Sequence, residues 1–190
     1  MAGWDQVKWT QARQVAELME LDSSNFGGPE ADPESGYRTL RERGDMPLAV
    51  RYIGHALPRL EAVAWAAYLL ENWSQATPPG VSERQALDCA IRWVEEPGEE
   101  YRRAAQEAAR RADGNSPERL LADAVFMSGG SISEPDLPPV QPPQQACGGL
   151  AAAAVIIAAY RTADPNAALA AACDSGEKVA ALGANALLAQ

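Results

Sequence analysis

His55 is the only histidine in the chain and the side chain best suited to acid–base chemistry near neutral pH. It stands just before Ala56-Leu57-Pro58, near the end of a predicted helix. A catalytic base needs a partner group, and no serine or cysteine stands at a spacing that identifies one. The sequence therefore favours a structural histidine whose ring bonds a backbone carbonyl or caps the helix. A small enzyme that uses His55 as a base is the third functional alternative.

Carboxylates form two groups that could bind a basic partner. One surrounds Pro97-Gly98, and the other lies in an acidic segment between two predicted helices. Neither has the spacing of a calcium-binding loop, so we predict no metal site and no cofactor. Solvated acids at helix ends are the ordinary alternative to a partner-binding surface. The candidate partner-binding residues are Glu95, Glu96, Glu99, Glu100, Asp22, Glu30, Asp32 and Glu34.

Residues 128–143, the proline ribbon, contain five prolines after the pair Gly129-Gly130. Proline fixes φ and removes an amide donor, so this segment cannot be a helix or a central strand. Glycine-rich loops can bind anions, but this one lacks the lysine and the preceding strand of a phosphate-binding loop. We therefore predict a helix end followed by a packed loop. Loops of this length usually serve function or link domains.

The composition indicates one all-α domain over residues 1–190. The chain has 190 residues, 38 of them alanine, which favours closely packed helices. Sixteen Lys and Arg residues against 26 Asp and Glu residues give a formal charge of −10. This charge disfavours binding to nucleic acid and to anionic membranes, and favours a basic partner.

Capping residues and apolar spacing predict a single irregular bundle of about eight helices with one proline-rich loop. Residues 22–36 are predicted to form an acidic loop. The apolar run 150–160 is too short to cross a bilayer and predicts a central buried helix. The last helix should begin at Pro165 and break near Ser175-Gly176.

The N-terminal residues and the cysteines predict a cytoplasmic protein. The first residues lack the basic start and apolar run of a secretory signal. Three cysteines, far apart in sequence, indicate reduced thiols rather than a disulfide framework. Trp4 and Trp9 near the N-terminus either anchor an interface or dock onto their own domain.

Several segments together resemble an uncharacterised family of small helical bacterial proteins associated with type VI secretion neighbourhoods. They are RYIGHALPRLEAVAWA (51–66), AIRWVEEP (90–97), RRAA (102–105) and the proline ribbon. The resemblance spans roughly residues 45–160 and implies an immunity or adaptor role. It implies no catalytic residues.

These observations together predict a cytoplasmic immunity protein, not an enzyme, whose partner is a protein toxin. An acidic protein can be steered to the basic cleft of a nuclease and occlude it. The alternative binding function is an adaptor or chaperone that loads an effector of a type VI secretion system. Neither function involves nucleic acid or membrane as a partner.

Overall fold

The computed structural model describes residues 3–28, 30–134 and 136–187, and every regular element in them is helical. The all-α prediction is confirmed. Pro29 of the predicted acidic loop and Pro135 of the proline ribbon lie outside the described residues. The nine α-helices within these ranges are α1 (Ala12–Leu18), α2 (Pro33–Arg43), α3 (Met46–Ala56), α4 (Arg59–Ser74), α5 (Val81–Glu95), α6 (Glu99–Arg111), α7 (Pro117–Phe126), α8 (Ala146–Ala159) and α9 (Pro165–Leu182).

Four helices begin with proline in the first turn behind an Asp or Ser cap, which fixes where the chain changes direction. Proline suits this position because its missing amide would have no helical acceptor. The cap side chain accepts a hydrogen bond from an amide three residues on. The capping residues are Asp32 of α2, Asp45 of α3, Ser116 of α7 and Asp164 of α9.

The predicted acidic loop 22–36 is wrong at its C-terminal end. Helix α2 begins at Pro33 because Asp32 accepts hydrogen bonds from the Ser35 amide at 2.9 Å and hydroxyl at 2.7 Å. A 3-10 helix, Ser23–Phe26, fills part of the remainder and buries Phe26. The pair Asp32-Pro33 is a helix-start signal, but the glycines and prolines around it favour a loop.

Helix α8 lies at the centre of the bundle, as its apolar sequence predicts, and packs against α3, α4 and α7. Its approach to α3 is close because both helices carry glycine at the crossing. A Cβ on Gly54 would lie 2.6 Å from the Gly148 carbonyl oxygen and 2.7 Å from Ala152 Cβ. Side chains larger than hydrogen do not fit between these backbones.

Helix α9 runs unbroken through Ser175-Gly176, so the predicted interruption there is wrong. Gly176 packs against α3, where an added Cβ would lie 2.7 Å from Ile53 Cδ1. Ser175 accepts a hydrogen bond from Trp65 Nε1 at 3.1 Å and donates to the Ala172 carbonyl at 3.0 Å. Tertiary contacts therefore require small residues at a point where local propensity disfavours a helix.

The N-terminal segment docks onto its own domain. The Trp4 ring lies 5.1 Å from Tyr37 and 6.5 Å from Tyr52, centroid to centroid. Trp9 Nε1 donates a hydrogen bond to the His55 carbonyl at 3.2 Å. This placement brings Lys8 to the end of α3.

Within the described ranges, no helix has both the length and the apolar character needed to span a bilayer.

Candidate functional site

The carboxylates around Pro97-Gly98 lie at the end of α5 and the start of α6, and three of the four pair with arginines. Arg92 contacts Glu96 at 3.0 Å and Glu95 at 3.5 Å. Glu99 pairs with two further arginines of its own helix. Glu100 is exposed and forms no ion pair with any described residue. Most of the negative charge predicted for this surface is therefore neutralised within the protein.

Glu99 joins α6 to the proline ribbon through Arg102 and Arg103. It accepts hydrogen bonds from Arg102 at 2.6 and 2.7 Å and from Arg103 at 2.9 Å. The Arg102 guanidinium is the main reason that the pKa of Glu99 falls from 4.5 to about 2. Partial burial opposes this shift, and Arg103 reinforces it.

This lowered pKa predicts an acid-dependent loss of stability. A carboxylate with a depressed folded-state pKa stabilises the fold above its unfolded pKa, and the effect disappears as the pH falls through the folded-state value. The difference in unfolding free energy between wild type and Glu99→Gln should be constant above pH 4.5 and shrink toward pH 2. Urea unfolding measured across this range tests it. Glu100→Gln is the matched control and should unfold like wild type, and a Glu99→Gln difference that persists unchanged at pH 2 would contradict the assignment.

The second predicted carboxylate group is also largely occupied by local contacts. Asp22 accepts a hydrogen bond from the Ser24 amide, and Asp32 caps α2. Glu34 pairs with Arg38 at 2.8 Å, and Glu30 accepts a weak hydrogen bond from Gln11 at 3.4 Å. The hydrogen bonds that Asp22 and Asp32 accept lower the pKa of both groups. These acids order the segment before α2, and their role in partner binding stays a prediction.

Two arginines of α6 fasten the base of the proline ribbon. Arg102 is 3% exposed and donates to the Phe126 carbonyl at 2.6 Å and to the Ser131 carbonyl at 2.9 Å. Its guanidinium carbon also lies 4.7 Å from the centroid of the Phe126 ring. Arg103 donates to the Ser131 and Ser133 carbonyls at 2.8 and 3.1 Å. We call Arg102 and Arg103 the arginine anchor. They supply hydrogen-bond donors to carbonyls that have no partner within a helix or strand.

Hydrogen bonds within the ribbon join its two ends next to the anchor, and apolar side chains are exposed between them. The Ile132 amide donates to the Val140 carbonyl at 2.9 Å, and the Val140 amide donates to Ser131 Oγ at 3.1 Å. Leu137 is 57% exposed and Val140 is 52% exposed. Exposed Glu134 and Asp136 flank this pair. The ribbon tip, residues 134 and 136–140, therefore presents apolar and acidic groups on a fixed base.

His55 lies between two adjoining depressions where the end of α3 meets the start of α8. One depression, about 190 Å3 in volume, is lined by Lys8, Arg59 and Gln144, and the other by Glu20 and Arg51. We call the two together the His55 cleft. The sequence did not predict this cleft, because its residues come from four separate segments.

The His55 ring forms the predicted hydrogen bond to a carbonyl, with Nδ1 2.9 Å from the Arg51 carbonyl oxygen. Burial lowers the pKa of the imidazole, so the neutral ring is favoured, and Nδ1 then donates this bond. Within the described part of the chain, no serine, cysteine or carboxylate hydrogen-bonds to the ring. The geometry shows no nucleophile–base pair at His55.

Another cleft, about 430 Å3 in volume, lies between α4, α5 and the 3-10 helix Ala184–Leu187. Its walls are mainly apolar, with Ala67, Ile91 and Val94 among them. Across the described residues, no group of three or more His, Cys, Asp or Glu side chains is placed to hold a metal ion.

Comparison with known proteins gives a family without an assigned activity. No curated protein and no solved structure matches the chain. A family described as "Family of unknown function (DUF6931)" matches residues 36–180, which include the arginine anchor, the proline ribbon and His55. Because the match covers well over half of the sequence, the chain belongs to the DUF6931 family.

Proposed function

We propose that this protein is an immunity protein that binds a cognate antibacterial toxin and occludes the basic active-site cleft of a nuclease. The observation that carries the proposal is the proline ribbon, an exposed loop on a buried arginine anchor. The sequence resemblance to proteins of type VI secretion neighbourhoods supplies the biological setting. Effector adaptor or chaperone is the alternative within the same class of protein-binding functions.

The ribbon has the physical properties of a recognition element. A loop that is ordered before binding loses little conformational entropy when a partner covers it. Its tip exposes Leu137 and Val140, whose burial in a partner would remove apolar surface from water. Monomeric proteins usually expose apolar groups singly, and apolar groups exposed together with a polar rim often mark a binding site.

The charge of the tip suits a basic cleft. Glu134 and Asp136 flank the apolar pair, and the nearest cation to Glu134 in the described residues is Arg110 at 3.7 Å. Nuclease clefts are basic because they bind phosphates. Carboxylates on the ribbon tip would therefore attract such a cleft and speed association with the nuclease. Glu100 is a further candidate contact for a basic partner, since it forms no ion pair in the described ranges, whereas Glu99 pairs with the arginine anchor.

Binding of the purified product of an adjacent gene tests the proposal. Leu137→Ala/Val140→Ala should weaken this complex about tenfold or more, as truncation of central interface residues does. Val81→Ala is the matched control, because Val81 is 90% exposed on α5 and outside the ribbon. Glu100→Lys/Asp136→Lys should slow association, most strongly at low salt. Equal binding by the ribbon variant and the control would overturn the ribbon as the interface.

A second experiment separates immunity from the other functions. Cells that express the toxin alone should die, and co-expression of this protein should restore growth and block nuclease activity in the extract. Survival of toxin-expressing cells without this protein, with failed delivery to neighbouring cells, would indicate an adaptor. Protection without any complex would contradict occlusion and favour the enzyme hypothesis.

A further inference from the structure

We propose that the His55 cleft binds inorganic hydrogen phosphate. This site is separate from the proline ribbon and does not depend on toxin binding. Three features of the described residues converge there: unpaired cations at the rim, the uncapped start of a long helix, and a buried imidazole with one free nitrogen.

Cations line the rim of the cleft in a protein whose formal charge is −10. Lys8, Arg51 and Arg59 line its two depressions, and none of them forms an ion pair with a described residue. Arg59 keeps one hydrogen bond, to the Ser128 carbonyl at 2.9 Å. Glu20 is the carboxylate in the lining. The local charge therefore favours an anion although the whole molecule does not.

The first turn of α8 forms the floor. This helix has 14 residues, and its N-cap residue, Gln145, gives no side-chain cap. The amides of Cys147, which is buried, and Gly148, which lines the cleft, have no hydrogen-bond acceptor among the described residues. Free amides and the positive end of the helix dipole both favour an anion at this position.

His55 is the independent observation that points to a ligand. The residue is 8% exposed, and its Nε2 has no hydrogen-bond partner in the described ranges. Nε2 faces Gly149 in the first turn of α8, where an added Cβ would lie 3.3 Å away. Among the side chains of the described residues, the fully buried nitrogen and oxygen atoms without a partner are Arg41 Nη1 and Tyr52 Oη, so Nε2 keeps some exposure to the cleft.

The tautomer of His55 determines which anion fits. Nδ1 donates to the Arg51 carbonyl, so Nε2 offers a lone pair and requires a donor. Hydrogen phosphate carries an O–H group that can donate to Nε2, while its other oxygens accept from the amides and cations. Sulfate has a similar size and charge but has no O–H group at neutral pH. Phenyl phosphate as its dianion also lacks the O–H group.

Nuclear magnetic resonance of the imidazole tests the site, because the single histidine gives an unambiguous signal. Inorganic phosphate, added at about pH 8 and constant ionic strength, should shift the His55 resonances with saturation. Sulfate and phenyl phosphate should bind about tenfold more weakly, since each leaves Nε2 without a donor.

The two lysines of the chain provide a matched pair of variants. Lys8→Ala should weaken phosphate binding about fivefold to tenfold, as loss of a charged hydrogen-bond donor does. Lys178→Ala removes the same charge from an exposed position on α9, and should bind phosphate like wild type. Arg51→Ala gives a second rim variant and should weaken binding similarly. Absence of saturation, equal binding of sulfate, or equal effects of the two lysine variants would each overturn the site.

Discussion

Arg102→Ala should cost about 3 kcal/mol of unfolding free energy, the largest loss we expect from any single charged residue. Arg102 is 3% exposed, and its guanidinium donates to two backbone carbonyls as well as to Glu99. Its removal leaves the Phe126 carbonyl without this donor in a buried setting, where an unsatisfied group costs about 1–3 kcal/mol, and leaves the Ser131 carbonyl with Arg103 alone. Chemical denaturation followed by circular dichroism measures the change.

The same substitution should release the proline ribbon. Hydrogen exchange at the Ile132 amide, which donates to the Val140 carbonyl, should become faster than the loss of global stability alone accounts for. Arg102→Lys should give an intermediate loss, because lysine keeps the charge but cannot donate in the forked geometry of arginine.

Arg110 provides the control for this prediction. It lies on the same helix and pairs with Glu107 at 2.6 Å and Glu134 at 3.7 Å, but its side chain is 53% exposed. Exposed pairs contribute about 0–1 kcal/mol, so Arg110→Ala should change stability little. Similar losses for Arg102→Ala and Arg110→Ala would show that the ribbon does not depend on the buried guanidinium.

Gly148→Ala should destabilise the protein by about 3 kcal/mol or more, although alanine ordinarily favours a helix by up to about 1 kcal/mol over glycine. The added Cβ would overlap the Gly54 carbonyl oxygen and lie 3.2 Å from His55 Cα. Both neighbours are backbone, so the strain can be relieved only if α3 and α8 move apart. Thermal unfolding measures the effect, with a fall of about 2–4 °C expected for each kcal/mol in a chain of this size.

Gly54→Ala should also destabilise the protein, because Gly54 lies on α3 at the same helix crossing. Gly129→Ala is the control: an added Cβ there meets nothing within 4 Å, and its φ is not in the left-handed region. It should leave the melting temperature close to that of wild type. A Gly148→Ala protein as stable as the Gly129→Ala protein would mean that the helices are not in such close contact.

The two stability predictions also bear on function. The first turn of α8 lines the His55 cleft, so variants at the α3–α8 crossing should disturb that site directly, whereas the ribbon is held by α6 and should change only through lost stability. The surface variants Leu137→Ala and Lys8→Ala should affect one site each and leave the fold intact. Comparing these surface variants with the glycine variants distinguishes loss of a binding site from loss of the fold.

Local signals in the sequence were sufficient for the helical class, for most helix starts and for the central position of α8. The caps Asp45, Ser116 and Asp164 are local signals of this kind, because a cap and its amide are only three residues apart. The hydrogen bond of His55 to a carbonyl is equally local, since Arg51 is one turn away.

Tertiary structure decided the features that depend on residues distant in sequence. The continuity of α9 through Ser175-Gly176 requires Trp65 and Ile53, and the arginine anchor joins α6 to carbonyls about 30 residues further along. The arginines also neutralise Glu99, whose sequence context suggested a free carboxylate. A linear sequence shows charge and propensity at each position, whereas the partners that satisfy or neutralise each group are known only once the chain has folded.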